Sequence, residues 1–494
     1  MSAQFVVFHG SVVHTPTRGS LCVLPSAIVG VDGAGRIAFV SELKDQDVHH
    51  AVKTAMAQSG IGEDTQFQLK SLTRGQFLLP GLIDTHVHAP QYRFVGGATD
   101  KPLMEWLNHY TFPSEARMKN LSFADEVYRK LVKRLLKNGT TTALYFATID
   151  LEPTKLLVDI CAEYGQRACV GKVCADINSP SFYIESTSAS ISATESFIAY
   201  VHAKHPPHSP SFPGGSHPLI HPVVTPRFIP TCSPALLAGL GALAARHNVR
   251  VQSHISESLD QVAFTRSMYP LDSPQHFGSD ARIFDSHGLL NKAVMAHGVH
   301  LTSADLQLMA ERGAAVACCP LSNVFFAHGN LDVKRCWREN VDVGLGTDVA
   351  GGPLTTLVQA MRWAVGNARQ IESTKTAAPA ADSPSPVISW KDALYLATLG
   401  GAKALSLDEH VGTFEWGKEF DALLIDVNPS WDTSWDVFEE ERGAGTGAGI
   451  ETGADSAESD IERIEMWVEK FINLGDDRNI ADVYVKGKRV AGCA

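Results

Sequence analysis

Eight apolar runs recur through the middle of this chain, and helical patterns separate many of them. They are GLIDTHVH (81–88), TTTALYF (140–146), RACVGKV (167–173), LIHPVVT (219–225), VRVQSH (249–254), AVMAH (293–297), GAAVACC (313–319) and VDVGLGT (341–347). Short, nearly continuous apolar runs read as strands covered on both faces, as parallel sheets require. The intervening segments carry helix start and stop signals. Ser122 is expected to open SFADEVYRKLVKRLLKNG, with Asp125 and Glu126 in the first turn, Val127, Leu131 and Leu135 on one face, and Gly139 just past the end. Ser233 opens SPALLAGLGALAARHN and places Pro234 at the first helical position, and Ser303 opens SADLQLMAERG. This alternation predicts an α/β fold, a (β/α)8 TIM barrel. A doubly wound open sheet is the rival, but no G-x-G-x-x-G follows the first strand.

Both ends of the chain read differently. FVVFHGSVVHTP, SAIVGVDGAGRIAFV and QFQLKSLTRGQFLLP near the start are short strands, with DGAG as a hairpin turn. VGTFEWGKEFDALLIDVNP and ADVYVKGKRVAG repeat the pattern near the end. A small β-sandwich domain built from both chain ends is expected, with residues 1–79 and 409–494 flanking a barrel over residues 80–408. Three Pro-, Gly-, Ser- and Ala-rich stretches, 204–218, 373–386 and 442–460, are expected to be mobile surface insertions without catalytic groups. His205, His208 and His217 fall in the first and read as part of a solvated loop, not a metal tract.

With 494 residues, 44% of them hydrophobic, the chain has ample material for a large core. A net charge of -12 weighs against nucleic acid or an anionic membrane as partner. The opening MSAQFVVFHGSVVHTP has no basic flank and reads as a strand, not a signal peptide. No apolar stretch is long enough to span a bilayer. Nine scattered cysteines suit reduced thiols in the cytoplasm.

A barrel of this kind carries its chemistry at the C-terminal ends of the strands. The first run ends in His86-Val87-His88, the fifth in His254, the sixth in His297 and the eighth in Asp348. Residues two apart on a strand point to one side, so His86 and His88 can share a cation in the barrel mouth. His254 and Asp348 can complete the set, which suits Zn²⁺, with Fe²⁺ and Mn²⁺ as alternatives. Such an ion makes water acidic enough to supply hydroxide near neutral pH, and Asp348 can both ligate and accept a proton. Glu257, three residues after His254, is suited to carry protons to a ring nitrogen and a leaving amine. Each motif alone is weak; four rim positions on the expected strands are not.

Long stretches then carry a family resemblance: PGLIDTHVHAPQY, EWLNHYTFPSEAR, KNGTTTALYFATI, VTPRFIPTCS, QSHISES, VMAHGVHL, GLGTDVAGG and LGDDRNIADVYVKGK. On these the chain resembles the guanine deaminases of the amidohydrolase superfamily, over nearly its whole length apart from the three insertions. The resemblance implies conversion of guanine to xanthine and ammonia in purine catabolism, and one Zn²⁺ per subunit held by His86, His88, His254 and Asp348. It assigns proton transfer to Glu257, hydroxide orientation to His297, and catalysis to Asp348. It also implies a guanine site in which Gln91 meets the purine edge, Arg227 the carbonyl oxygen and Phe228 the ring face, beside His88, His254, Glu257 and Asp348. Trp106 is a candidate pocket wall, with plain packing an equal reading. A homodimer is implied as well. The run CCPLSN (Cys318–Asn323) departs from the family's usual His-Cys-Pro-x-Ser-Asn, and Cys318 is expected to be a buried core thiol. Two other readings remain: hydrolysis of a different heterocycle, such as cytosine, a triazine or an adenosine derivative, and a metal-free scaffold. The other zinc deaminase signature, H-x-E with P-C-x-x-C, is absent.

Overall fold

The structure, a computed structural model, describes residues 5–44, 47–62, 64–97, 99–207, 217–269, 278–327, 329–374, 384–427 and 457–492. In chain order the strands are β1 (Phe5–His14), β2 (Cys22–Val31), β3 (Ile37–Glu42), β4 (Phe67–Ser71), β5 (Gln76–Pro80), β6 (Leu82–His88), β7 (Thr140–Phe146), β8 (Arg167–Gly171), β9 (Val173–Cys174), β10 (Ile220–Pro226), β11 (Arg250–Ile255), β12 (Val294–His297), β13 (Ala315–Cys318), β14 (Val343–Leu345), β15 (Ala422–Asp426), β16 (Ile480–Val485) and β17 (Lys488–Gly492).

The middle of the chain forms the expected barrel. Eight parallel strands follow one another as β6, β7, β8, β10, β11, β12, β13 and β14, with the short β9 beside β10. Helices Leu121–Lys137, Leu151–Tyr164, Thr187–Lys204, Pro234–His247, Leu259–Met268, Ser303–Glu311, Val333–Arg338 and Leu357–Thr374 follow them in turn. The residues just past β14 close the ring onto β6: Asp348 N donates to His86 O at 2.9 Å, and His88 N donates to Val349 O at 3.1 Å. Asp84, fully buried in β6, fastens the same seam by accepting from Thr347 N at 3.0 Å and Thr347 Oγ1 at 2.6 Å.

The barrel interior below the mouth is filled by Ile83, Leu144, Cys169, Val223, Val294 and Ala317, sealed by Leu405 and Val411. Simple alternation from Ile83 would send Thr85 and Val87 the same way. The β6–β7 register slips between Asp84 and Val87 instead, a bulge that redirects the strand end. Past it, His86 and His88 both turn toward His254, with only His88 reaching the cavity, while Val87 packs in the layer between strands and helices.

The second sheet runs β17-β16-β15-β5-β1-β2-β3, with β4 on β1, so both chain ends build it. Antiparallel pairing of β15 with β5 joins the late strands to the early ones. The Asp32–Gly35 turn makes the expected hairpin between β2 and β3. Arg167, fully buried at the start of β8, binds Asp421 at 3.0 and 3.1 Å and Glu419 at 2.5 Å, tying the barrel to this sheet.

Some local expectations shift. The helix expected to open at Ser122 is capped by Asn120, whose side chain accepts from Phe123 N. An amide two residues earlier meets the same orphan donors. Thr302, not Ser303, caps the next one, in a reciprocal capping box with Asp305. Ser233 caps its helix as expected, with Pro234 first inside. Most of the three proposed insertions (208–216, 375–383 and 442–456) lies outside the described residues. The end of the third is helical: Ala457–Leu474 buries Ile464, Trp467, Val468, Phe471 and Ile472, a helical spacing readable in the sequence. Its last carbonyls are met by Arg362, which donates to Ile472 O and Gly475 O at 2.6 Å each. His217 is not in a solvated loop; it is half-buried and stacks on His410, with ring centroids 3.9 Å apart. No described helix is long and apolar enough to cross a membrane.

Candidate active site

Four strand ends deliver their polar residues to one point. His86 and His88 come from β6, His254 from β11, His297 from β12, and Asp348 lies three residues beyond β14. All five are buried. His88 Nε2 and His254 Nε2 are 3.0 Å apart, and Asp348 Oδ1 lies 3.1 Å from His86 Nε2 and 3.5 Å from His88 Nε2. His297 Nε2 stands further off, 3.9 Å from Asp348 Oδ2 and 3.7 Å from Glu257 Oε1. Phe146, at the end of β7, packs against three of the imidazoles, with centroids 4.8 Å from His86 and 4.7 Å from both His88 and His254. Sequence reading missed this aromatic floor, although Phe146 is the last residue of a recognised strand.

The donor chemistry fits a divalent cation. His254 Nδ1 lies 2.6 Å from Arg227 O. A carbonyl only accepts, so Nδ1 carries the hydrogen and neutral His254 turns a lone pair on Nε2 toward His88. Burial holds the pKa of His86, His88 and His254 well below the usual histidine range, so they are neutral ligands and not cations. His86 Nε2 is buried without a hydrogen-bond partner despite its closeness to Asp348. One nitrogen from each of these three histidines falls within a sphere of mutual distances under 4.8 Å. A positive ion between them resolves both the orphaned nitrogen and the facing lone pairs.

The same place opens onto a small cavity. His88, His254, Glu257, His297 and Asp348 line it, together with Gln91, Trp106, Arg227 and Phe228. His86 sits deeper and does not line it. Trp106 is thus both a pocket wall and a packed residue, 4.9 Å from Phe326 between centroids. Gln91 and Arg227 meet through Glu115, a fully buried carboxylate that sequence reading passed over: Gln91 Nε2 donates to Oε1 at 2.8 Å, and Arg227 Nη1 to Oε2 at 2.6 Å. Gln91 Oε1 accepts from Ala350 N at 3.1 Å, which ties the pocket to the loop that carries Asp348.

The sequence profile of the amidohydrolase family matches residues 77–490, which include every one of these groups. The chain belongs to the amidohydrolase family. It is 39% identical over 487 residues to the guanine deaminase of Mus musculus, covering 98% of this chain and 96% of that one. It is 40% identical over 486 residues to the guanine deaminase of Homo sapiens, with the same shares covered. Among solved structures, the guanine deaminase from C. acetobutylicum with bound guanine in the active site superposes with a TM-score of 0.78 at 28% identity, covering 98% of this chain and 100% of that chain.

In this amidohydrolase the loop bearing Glu257 is fastened by buried hydrogen bonds. Ser256 adopts a left-handed backbone, with φ of 43°. Asp280 holds it there, accepting from Ser256 N at 3.0 Å, while Gln261 accepts from Glu257 N at 2.7 Å. Burial and the neighbouring Asp348 charge push the Glu257 carboxyl up to about 8. Asp348 is itself left-handed, with φ of 49°, and burial raises its pKa too. Gly351 leaves room for that carboxylate, because a Cβ there would stand 2.7 Å from Asp348 Oδ2. Of the two adjacent cysteines, Cys318 packs in the apolar core as expected. Cys319, one residue on, faces the site and groups with His86 and His297. Strand alternation, applied to the pair, assigns them to opposite sides.

Proposed function

We propose that this protein is a metal-dependent deaminase that converts guanine and water to xanthine and ammonia, with Zn²⁺ as the ion. One observation carries the reading: the buried histidine and aspartate cluster and the Arg227–Gln91 pair line a single cavity, in a chain matching proteins named guanine deaminase from end to end.

His86, His88, His254 and Asp348 would hold the ion, which when bound supplies the Lewis acidity that brings hydroxide within reach at neutral pH. The rest of the chemistry belongs to the protein. Arg227 can only donate, so it selects the C6 carbonyl oxygen of guanine over the exocyclic amine of adenine. Gln91 keeps one amide hydrogen beyond the one it commits to Glu115 and presents it to the purine edge. Phe228 lies against one face of the base. Glu257, protonated at neutral pH, gives its proton to ring N3 as water adds to C2, and Asp348 accepts the proton that water loses. Asp348 then passes the proton it took to the exocyclic nitrogen, the bond from C2 to that nitrogen breaks and ammonia leaves, and the hydroxyl now on C2 gives its proton to Glu257 as it becomes the second carbonyl of xanthine. His297 donates through Nδ1 to Asn323 Oδ1 at 3.0 Å, which leaves Nε2 directed at Glu257 and Asp348 to orient the attacking oxygen. A cytoplasmic homodimer completes the proposal; the eight described cysteines are all free thiols, which suits a reducing compartment.

An ultraviolet assay with guanine, adenine and cytosine, run with and without chelator, tests this reading. Turnover of guanine alone, lost on chelation and restored by Zn²⁺, is expected. Metal-loaded protein that releases no ammonia from guanine rejects it.

A further inference from the structure

Glu115 is the most deeply buried charge at the site, with no exposed surface, yet it lines no part of the cavity itself. Each of its oxygens accepts from one pocket residue, Gln91 at 2.8 Å and Arg227 at 2.6 Å, and the buried Tyr183 hydroxyl bonds the same carboxylate. Phe112, three residues earlier, lies under the Arg227 guanidinium at 5.1 Å from ring centroid to Cζ. Arg227 is 3% exposed, so its orientation is decided by these contacts and not by water. Two consequences follow from elementary electrostatics. A carboxylate that binds both partners sets the spacing between the group that reads the carbonyl and the group that reads the purine edge. It also cancels the guanidinium charge within one contact distance, so the cavity presents directed N–H donors without a net positive field.

We propose that Glu115 is a positioning and specificity residue: it holds Gln91 and Arg227 in register and neutralises Arg227, so that the pocket takes a neutral oxo-heterocycle and turns away an anionic one of the same shape. This rests on the deaminase reading for its substrate, but its binding test does not need turnover.

The test compares wild type with Glu115→Gln and Glu115→Asp, each loaded with zinc and checked for metal content. Calorimetry measures the affinity of hypoxanthine, a neutral oxopurine, and of urate, an anionic one. For Glu115→Gln, loss of one charge-assisted hydrogen bond and of the neutralising charge is expected to raise the guanine KM about tenfold or more with kcat within about threefold, and to shift the urate-to-hypoxanthine affinity ratio toward urate by about tenfold. Glu115→Asp keeps the charge but shortens the reach, so its KM rises while the ratio stays within about threefold of wild type. A ratio unmoved in Glu115→Gln, or moved in Glu115→Asp, overturns the proposal, as does a loss in kcat with KM unchanged. Should Glu115→Gln not fold, Glu115→Ala removes the same charge and is read by the same ratio, with the same two outcomes. Wild type that fails to turn over guanine, with the ratio shifted as expected, would sink the deaminase reading and leave this one standing.

Discussion

Replacing Glu257 by Gln removes one proton and almost no volume, which makes it the sharpest probe of the chemistry. Glu257 stands outside the histidine and aspartate cluster, 3.7 Å from His297 Nε2, and its backbone is pinned by Gln261, so the variant should keep its fold and its zinc. The size of the effect follows from the role. A positioned general acid contributes about 10²–10⁴-fold, or roughly 3–5 kcal/mol of barrier. The pH dependence follows from the environment. With the carboxyl pushed up to about 8, the protonated fraction falls about tenfold between pH 7 and pH 9, so the wild-type rate should fall by the same factor over that window. The sign is fixed: activity is full below the folded-state pKa and lost as pH rises through it. A bound cation favours the carboxylate, so about 8 is the upper limit for this alkaline limb. In Glu257→Gln the residual rate should show no such limb, because the titrating group is gone. The assay is guanine turnover by ultraviolet absorbance from pH 6 to 9.5 or so, beside zinc analysis of the same samples. A variant that retains the limb, or that loses its zinc, refutes proton transfer by Glu257.

Arg227→Ala should raise the guanine KM by about 10–100-fold, the worth of one charge-assisted hydrogen bond at about 1.5–3 kcal/mol, and relax selection against adenine; an unchanged KM rejects the assigned contact. The same variant leaves Glu115 buried without its cation, so denaturant melts should show a loss of about 3–5 kcal/mol, and full stability would mean the pair is solvated. Gly351→Ala puts a methyl 2.7 Å from Asp348 Oδ2 and 2.9 Å from Ser322 Oγ; displacement of the carboxylate by about 1 Å should cost about 10²-fold in turnover together with reduced zinc content, and normal values for both would contradict the crowding. Stripping the metal should abolish activity and remove about 2.7 kcal/mol of stability relative to protein at a free ion concentration of 100 times Kd, seen as a lower melting temperature; an apo-protein that melts at the same temperature places no ion among these histidines.

Much of the site could be read from residue order because its signals are local. The apolar runs are covered on both faces, so their period and length betray strands, and a histidine at the end of such a run stands out against its neighbours. The Ala457–Leu474 helix was equally legible in Ile464, Trp467, Val468, Phe471 and Ile472, yet it follows a composition that suggested only loop. Caps were legible to within a residue or two, since Asn, Ser and Thr can each satisfy the same orphan amides.

The amino-acid order by itself determined the alternation that makes a barrel and the identity of the groups at its rim, because periodicity and residue type act over a few neighbours. Tertiary structure alone decided three other things. The bulge between Asp84 and Val87 chose the side to which His86 and His88 turn. The Arg227 carbonyl chose the nitrogen that His254 offers. Glu115 brought together residues 24 and 112 positions away in the chain. Each is a contact between segments whose separation in sequence carries no information about their distance in space, and a buried polar group takes whichever partner the packing of the whole barrel sets beside it.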